Sequence, residues 1–485
     1  MIRRFLLSIV FAFYAAHLPA AESLAPLADA LQRQDAVAFR SLLEAQADVN
    51  AAQVDGMSPL HWAVFHEDAR STKLLLSAGA DANATNRYGV PPLAVACTNG
   101  NDTIVESLLA AGAAATATLP GGETMLMRAA RTGKLAAVQS LLARGAEVDA
   151  RERRDQTALM WAAAEGHVEV VDALLQAGAD FRTPLDSGFT PLLFAVRNGH
   201  TLVVKRMLAT GIDVNAPVEV EGSKGKGLKS GTSPLLLAIE NGHFELAIDL
   251  LQAGADPQDS RRGFTPLHAL TWIRKPLRGD GDPPPAGSGR VSSLEFVRAL
   301  VAHGADVNAR HGRHKPNNNA LNKTDATPFL LAAETGDAPL LQLLLELGAD
   351  PNLTNADNCP PLLAATGVGV LGDGDLAAAT EEEAIETVKL LLSVGADINA
   401  VDDLKNTAMH GAIYENRYQL IELLAEQGAD INVWNSKNNR GWTPLDIAQG
   451  SRPGNFRLQP ESLKTIERLM RAAGVEPPPP KPRKR

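Results

Sequence analysis

The sequence predicts an all-α solenoid, a single elongated stack of roughly 12 helix-turn-helix repeats with finger loops, and three observations predict it. A Thr-Pro-Leu motif recurs with a period of 33 residues. A glycine follows each motif start by 21 residues wherever nothing is inserted. The apolar residues between motif and glycine fall at helical spacing. A fixed period interrupted by a few long steps marks a repeat array carrying local insertions.

The first helix of each repeat starts at the motif. Clear copies are Ser58-Pro59-Leu60-His61, Thr190-Pro191-Leu192, Ser233-Pro234-Leu235, Thr265-Pro266-Leu267-His268, Thr327-Pro328-Phe329 and Thr443-Pro444-Leu445. Degenerate copies begin at Pro91, Thr124, Thr157, Pro360 and Thr407. A Ser or Thr at this point accepts a backbone N–H of the first turn. Proline suits the next position, where its missing donor is not needed. Small residues such as Ala162 and Ala163 then let two helices approach closely. After Gly166-His167 comes a second helix, whose Val168, Val171, Leu174 and Leu175 share one face. That helix stops at a glycine, because a left-handed stop penalises a side chain. The eleven stops are Gly79, Gly112, Gly145, Gly178, Gly211, Gly254, Gly304, Gly348, Gly395, Gly428 and Gly474.

The period and the Thr-Pro-Leu-His-x-Ala signature resemble the ankyrin-repeat family. Resemblance implies a concave face, lined by finger hairpins and first helices, on which such proteins usually bind partners. It also implies structural roles for His61, His268 and His410 in the motif and for His167, His200 and His243 in the Gly-His turn. Residues 24–54 read as an N-terminal capping repeat: Leu42-Leu43 and Ala47-Asp48-Val49-Asn50 fit, the motif is missing, and Gln46 replaces the glycine. The Trp-Ile-Arg segment from Trp272, Thr327-Pro328-Phe329 and Gly441-Trp442-Thr443-Pro444-Leu445 resemble a group of signal-bearing bacterial ankyrin proteins.

Insertions follow from the glycine positions. Repeat 5 gains 10 residues in a Gly/Lys-rich finger around 221–227. Repeat 7 gains 18 between its helices and 11 in its finger, repeat 9 gains 14 between helices, repeat 10 three in its finger, and repeat 11 ten between helices. Elaboration of repeat 7 at both edges makes repeats 5–9 the expected binding region. Trp272, Arg274 and Lys275 replace the usual end of its first helix, and interfaces favour Trp and Arg. The bland alternative has Trp272 packing under its own Pro283-Pro284-Pro285 loop. Basic finger residues Arg261, Arg262, Arg310, His311 and Arg313, with Tyr414, complete the expected partner-binding set. Arg151, Arg153 and Arg154 form another basic tip. Basic tips orient acidic partners when they are not merely solvated.

The ends have their own composition. Residues 1–21 read as a secretory signal: Arg3 and Arg4, an apolar run from Phe5 to Ala16, then Leu18-Pro19-Ala20-Ala21. That run is shorter than the roughly 20 residues that span a bilayer. The expected location is periplasmic or extracellular, with no stable membrane insertion after cleavage. Residues 22–476 form the repeat domain, and 477–485 a Pro-rich basic tail too constrained to fold. Net charge is −10. The first 21 residues carry two arginines and the tail four basic residues, neither with an acid, so the body holds −16. An acidic body argues against nucleic-acid binding, which rests on phosphate neutralisation.

Cys97 and Cys359 are the only cysteines. Seven repeats at about 10 Å each separate them, far beyond disulfide reach. Cys97 is expected buried and Cys359, beside Pro360 on a finger, exposed. No phosphate loop, zinc-protease motif or nucleophile elbow occurs. Asp280-Gly281-Asp282 and Asp373-Gly374-Asp375 lack the glutamate that a calcium loop needs at its twelfth position. His311 and His314 lack clustered metal ligands. The expectation is a monomeric, non-catalytic scaffold that binds an unidentified protein and needs no cofactor or metal. The alternative is a cell-envelope component acting through its acidic body and basic tail; an enzyme built from the insertions stands third.

Overall fold

A computed structural model of the chain describes residues 24–220, 228–276, 285, 287–314, 321–369, 379–451 and 458–479. Among them every regular element is a helix, and one isolated antiparallel bridge joins Thr118 to Thr124. The chain divides into two compact units, residues 1–181 and 182–485.

The first unit holds five helix pairs: α1 (Pro26–Gln32) and α2 (Ala36–Glu44), α3 (Pro59–Phe65) and α4 (Ala69–Ser77), α5 (Pro92–Asn99) and α6 (Asp102–Ala110), α7 (Met125–Arg131) and α8 (Leu135–Ala143), α9 (Ala158–Glu165) and α10 (Val168–Gln176). First helices stack in one row, α1 on α3, α3 on α5, α5 on α7 and α7 on α9. Second helices α4, α6, α8 and α10 form the outer row. The small pairs Ala129-Ala130 and Ala162-Ala163 are fully buried between these rows, where nothing larger leaves room for close approach.

The second unit continues with α11 (Pro191–Arg197) and α12 (Thr201–Leu208), α13 (Pro234–Glu240) and α14 (Phe244–Gln252), α15 (Pro266–Arg274) and α16 (Ser293–Ala302), α17 (Pro328–Glu334) and α18 (Ala338–Glu346). Then come α19 (Pro361–Thr366) and α20 (Glu381–Ser393), α21 (Ala408–Tyr414) and α22 (Tyr418–Glu426), a single turn α23 (Ile431–Trp434), α24 (Pro444–Ala448) and α25 (Pro460–Ala472). First helices again stack serially, from α11 through α13, α15, α17, α19 and α21 to α24. The turn α23, which no motif in the chain announces, buries Trp434 within the last finger.

All eleven motif starts are helix N-caps, in extended backbone. Thr157 Oγ1 accepts the Met160 N–H at 3.3 Å, and Thr327 Oγ1 the Leu330 N–H at 3.1 Å. Pro91 and Pro360 offer no such oxygen. All eleven stop glycines have positive φ. At Gly178, with φ +85°, nothing lies within 4 Å of where a Cβ would sit, so backbone conformation alone demands glycine. Gln46 adopts the same left-handed turn, at φ +57°.

Cys359 corrects one expectation. It is buried, not exposed: the finger closes over it, and its N–H donates to Asn355 Oδ1 at 2.9 Å. Burial pushes its thiol well up, and that of the equally buried Cys97 to about 12. Residues 1–23, most of the Gly/Lys finger, both Asp-Gly-Asp turns, Pro283, Pro284 and residues 480–485 lie outside the described residues. Tail residues 477–479 carry no regular structure.

Candidate functional site

Repeats touch through two recurring polar joints. In the first, a motif histidine closes its own helix and grips the next finger. His61 Nδ1 accepts the Ser58 N–H at 3.2 Å, so Nε2 carries the proton and donates to Val90 O at 2.9 Å. His268 repeats this between Thr265 N (3.3 Å) and Ala326 O (3.0 Å), and His410 between Thr407 N and Trp442 O (both 3.2 Å). Burial holds the His268 and His410 imidazoles down at about 4 and lowers His61 as well. His167 Nε2 and His243 Nε2 donate to Arg131 O and Arg197 O, each at 2.9 Å, bridging to the preceding repeat. A Cβ on Gly133, in the corresponding turn of the preceding repeat, would stand 2.6 Å from the His167 ring.

The second joint escaped the sequence reading. Asn50 Nδ2 donates to Gly79 O at 3.2 Å while its Oδ1 accepts the Asp81 N–H at 2.8 Å. Asn83 does the same with Gly112 O and Ala114 N, both at 2.9 Å. Asn215 clasps Gly254 O and Asp256 N, and Asn308 clasps Gly348 O and Asp350 N. One amide side chain thus satisfies an orphan carbonyl at a helix end and a loop N–H together. The signal was in the chain: Asn50, Asn83, Asp149 and Asn215 share the repeat's register.

The expected partner-binding residues all lie in the second unit, and most are engaged within it. Arg274 forks onto Asp337, Nε to Oδ2 at 2.7 Å and Nη2 to Oδ1 at 3.0 Å, and also donates to Ser293 Oγ. Asp337 is itself the buried N-cap of α18. Lys275 pairs with Glu383, the capping-box acid of α20. Arg261 forks onto Asp259 at 2.7 and 3.0 Å and donates to Asn215 O at 2.8 Å. Arg262 donates to Thr232 Oγ1 at 2.8 Å and stacks 5.2 Å from the Phe264 ring centroid. Arg310 ties Asp325 O and Thr354 O together at 2.7 and 2.6 Å. His311 is buried against Gly312 O, and burial lowers its pKa. Irregular loops leave carbonyls that helices cannot satisfy, and the multidentate guanidinium is suited to collect them. Arg313 projects into solvent, and the half-buried Tyr414 hydroxyl accepts from Asn438 Nδ2 at 2.9 Å.

Trp272 is half-buried. It meets Phe264 edge-on at 4.9 Å, and the Lys323 ammonium stands 5.7 Å from its ring centroid. Lys323 and Arg262 are in turn balanced by Glu334 and Glu240, each 3.7 Å away. The result is a half-exposed aromatic pair between neutralised charges, on the first-helix row. Among the described residues no group of His, Cys, Asp or Glu is arranged to hold a metal ion. No described helix is long and apolar enough to cross a membrane.

A family profile described as ankyrin repeats (3 copies) matches residues 8–118, 66–152, 126–218 and 376–458, and one described as ankyrin repeat matches 230–261 and 324–356. The chain belongs to the ankyrin-repeat family. Ankyrin repeats generally mediate protein–protein interaction and are typically non-catalytic. This ankyrin chain is 28% identical over 179 residues to the mitochondrial disaggregase of Homo sapiens, covering 33% of this chain and 23% of that protein. It is 36% identical over 107 residues to ankyrin repeat and SOCS box protein 6 of Homo sapiens, covering 22% and 21%. The chain thus spans under a quarter of the length of these curated relatives. Among solved structures it is similar to the human ASB11 ankyrin repeat domain, at 23% identity and a TM-score of 0.41, covering 54% of this chain and all of that one.

Proposed function

We propose that this ankyrin chain is an exported, non-catalytic scaffold that binds a protein partner on the first-helix and finger face of repeats 5–9. The observation that carries the reading is the half-buried Trp272–Phe264 aromatic pair, set among finger residues that are mostly engaged internally. Such anchors carry most of the energy of an interface, and their neighbours mainly exclude water. The bracing by Arg274, Lys275, Arg261 and Arg310 supports a preformed surface, which loses little entropy on association. Export rests on the charged, apolar and small-residue order of the first 21 residues.

The test is crosslinking capture in the native compartment with the full chain and with Trp272→Ala. A protein captured by the full chain and reduced at least about tenfold by the substitution supports the site. Equal capture by both removes the Trp272 region. A mature protein that retains residues 1–21 counts against export.

A further inference from the structure

We infer that the first unit carries a second recognition surface, separate from the Trp272 region, built to take an acidic peptide segment that bears bulky apolar side chains.

The surface is continuous. Its finger tips are joined edge to edge: the Arg87 N–H donates to Asp55 O at 3.0 Å, and the Arg153 N–H to Gly121 O at 2.9 Å. Between them Gly89 lies against Pro120, whose ring would stand 2.9 Å from a Cβ there. The first helices below are tied to the fingers and to each other. Trp62 Nε1 donates to Gln53 Oε1 at 2.8 Å, and Arg128 Nη1 to Thr98 Oγ1 at 3.1 Å.

Its apolar part is unusually open. Val54 is 98% exposed, Tyr88 62% and Phe65 54%. Phe65 stands edge-on to Trp62 at 5.6 Å and to His66 at 5.2 Å, and the His66 ring stacks on Trp62 at 5.8 Å. A Phe that shares an aromatic cluster yet stays half in water offers a ready seat for another apolar side chain.

Its charged part presents guanidiniums that stand outside ion pairs. The acids of these fingers are hydrogen-bonded or paired locally. Asp55 Oδ1 accepts the Met57 N–H, Glu152 Oε1 accepts the N–H groups of Arg154 and Gln156, and Glu123 pairs with Arg128 at 2.7 Å. Asp155 alone sits among the tip arginines without such a bond. Arg151, Arg153 and Arg154 are exposed and, among the described residues, have no carboxylate partner. Two further guanidiniums lie on aromatic rings: Arg131 is 5.3 Å from the Trp161 centroid and Arg87 4.9 Å from that of Tyr88. The Arg87 Nη2 also donates to the Tyr88 hydroxyl at 2.6 Å, whereas stacking fixes the Arg131 fork without using up its charge, which suits it to bidentate capture of a carboxylate. The contrast with the second unit is direct, because there the arginines of the fingers already hold Asp259 and backbone carbonyls. An acidic segment would be repelled by the other, net-negative parts of the body and drawn to these arginines, which fixes its orientation. A nucleic acid fits less well, because five dispersed arginines match separate carboxylates better than a continuous phosphate chain, and the body repels it.

The test is selection of linear 12-residue peptides displayed on phage against the full chain, followed by affinity measurements on the winning peptide. The expected consensus combines Asp or Glu with Leu, Phe, Trp or Tyr. Its affinity falls at least about tenfold for R153E/R154E and for Phe65→Ser, falls with added salt, and is unchanged by Trp272→Ala. The first-unit substitutions are at exposed positions, and circular dichroism melting checks that every variant remains folded. No enrichment, a consensus without acids, equal binding by both first-unit variants, or equal competition by single-stranded DNA overturns the inference. The Trp272→Ala arm keeps it separable from the repeat 5–9 reading.

Discussion

His61, His268 and His410 each act as a hydrogen-bond acceptor toward one repeat and a donor toward the next. Protonation at Nδ1 would set a second N–H against the backbone N–H it now accepts, so the joint exists only with a neutral ring. Burial is the larger cause of the depression to about 4 in His268 and His410, against an ordinary 6.5. Between those values the unfolded chain binds more protons than the folded one. Stability is therefore full above pH 6.5 and drains as pH falls toward 4, by on the order of 3 kcal/mol per imidazole at most. Urea denaturation at pH 7.5 and pH 5.0 should show the loss, and His410→Gln should flatten part of the slope while costing stability at pH 7.5. A slope unchanged by that substitution would place the pH dependence elsewhere.

At the scale of the element, the helix stops separate conformation from packing. Gly178 has empty space beside it and needs glycine for its φ alone, whereas Gly133 also makes room for His167. Gln46 carries the strain that glycine avoids, at φ +57°. Gln46→Gly is expected to stabilise the N-terminal repeat by roughly 0.5–1 kcal/mol, read as a rise in thermal midpoint. No change would mean that the end repeat frays before the cooperative transition. Caps, stops and the motif histidines were legible because each is a local rule repeated in register. What the finger arginines do was not legible. Arg274 meets Asp337 63 residues away and Lys275 meets Glu383 108 away, and no local pattern announces such a partner. The burial of Cys359 was missed for a related reason, since the finger's closure is set by Asn355 and not by the adjacent prolines.

Across the whole molecule the interior is a single type of environment repeated along the sequence, and both thiols sit in it. Ellman's reagent should find neither cysteine in the folded protein and two after unfolding. Prompt reaction of one thiol under native conditions would mean that its repeat opens on its own. The asparagine clasp has a further consequence. Asn50 reaches a glycine 29 residues on, yet Asn215 and Asn308 make the same pair of bonds across 39 and 40 residues. The clasp is indifferent to how much chain runs between its ends. New sequence can therefore be spliced into a finger without disturbing the register of the repeats it joins, and the chain reads as a chassis with standard couplings.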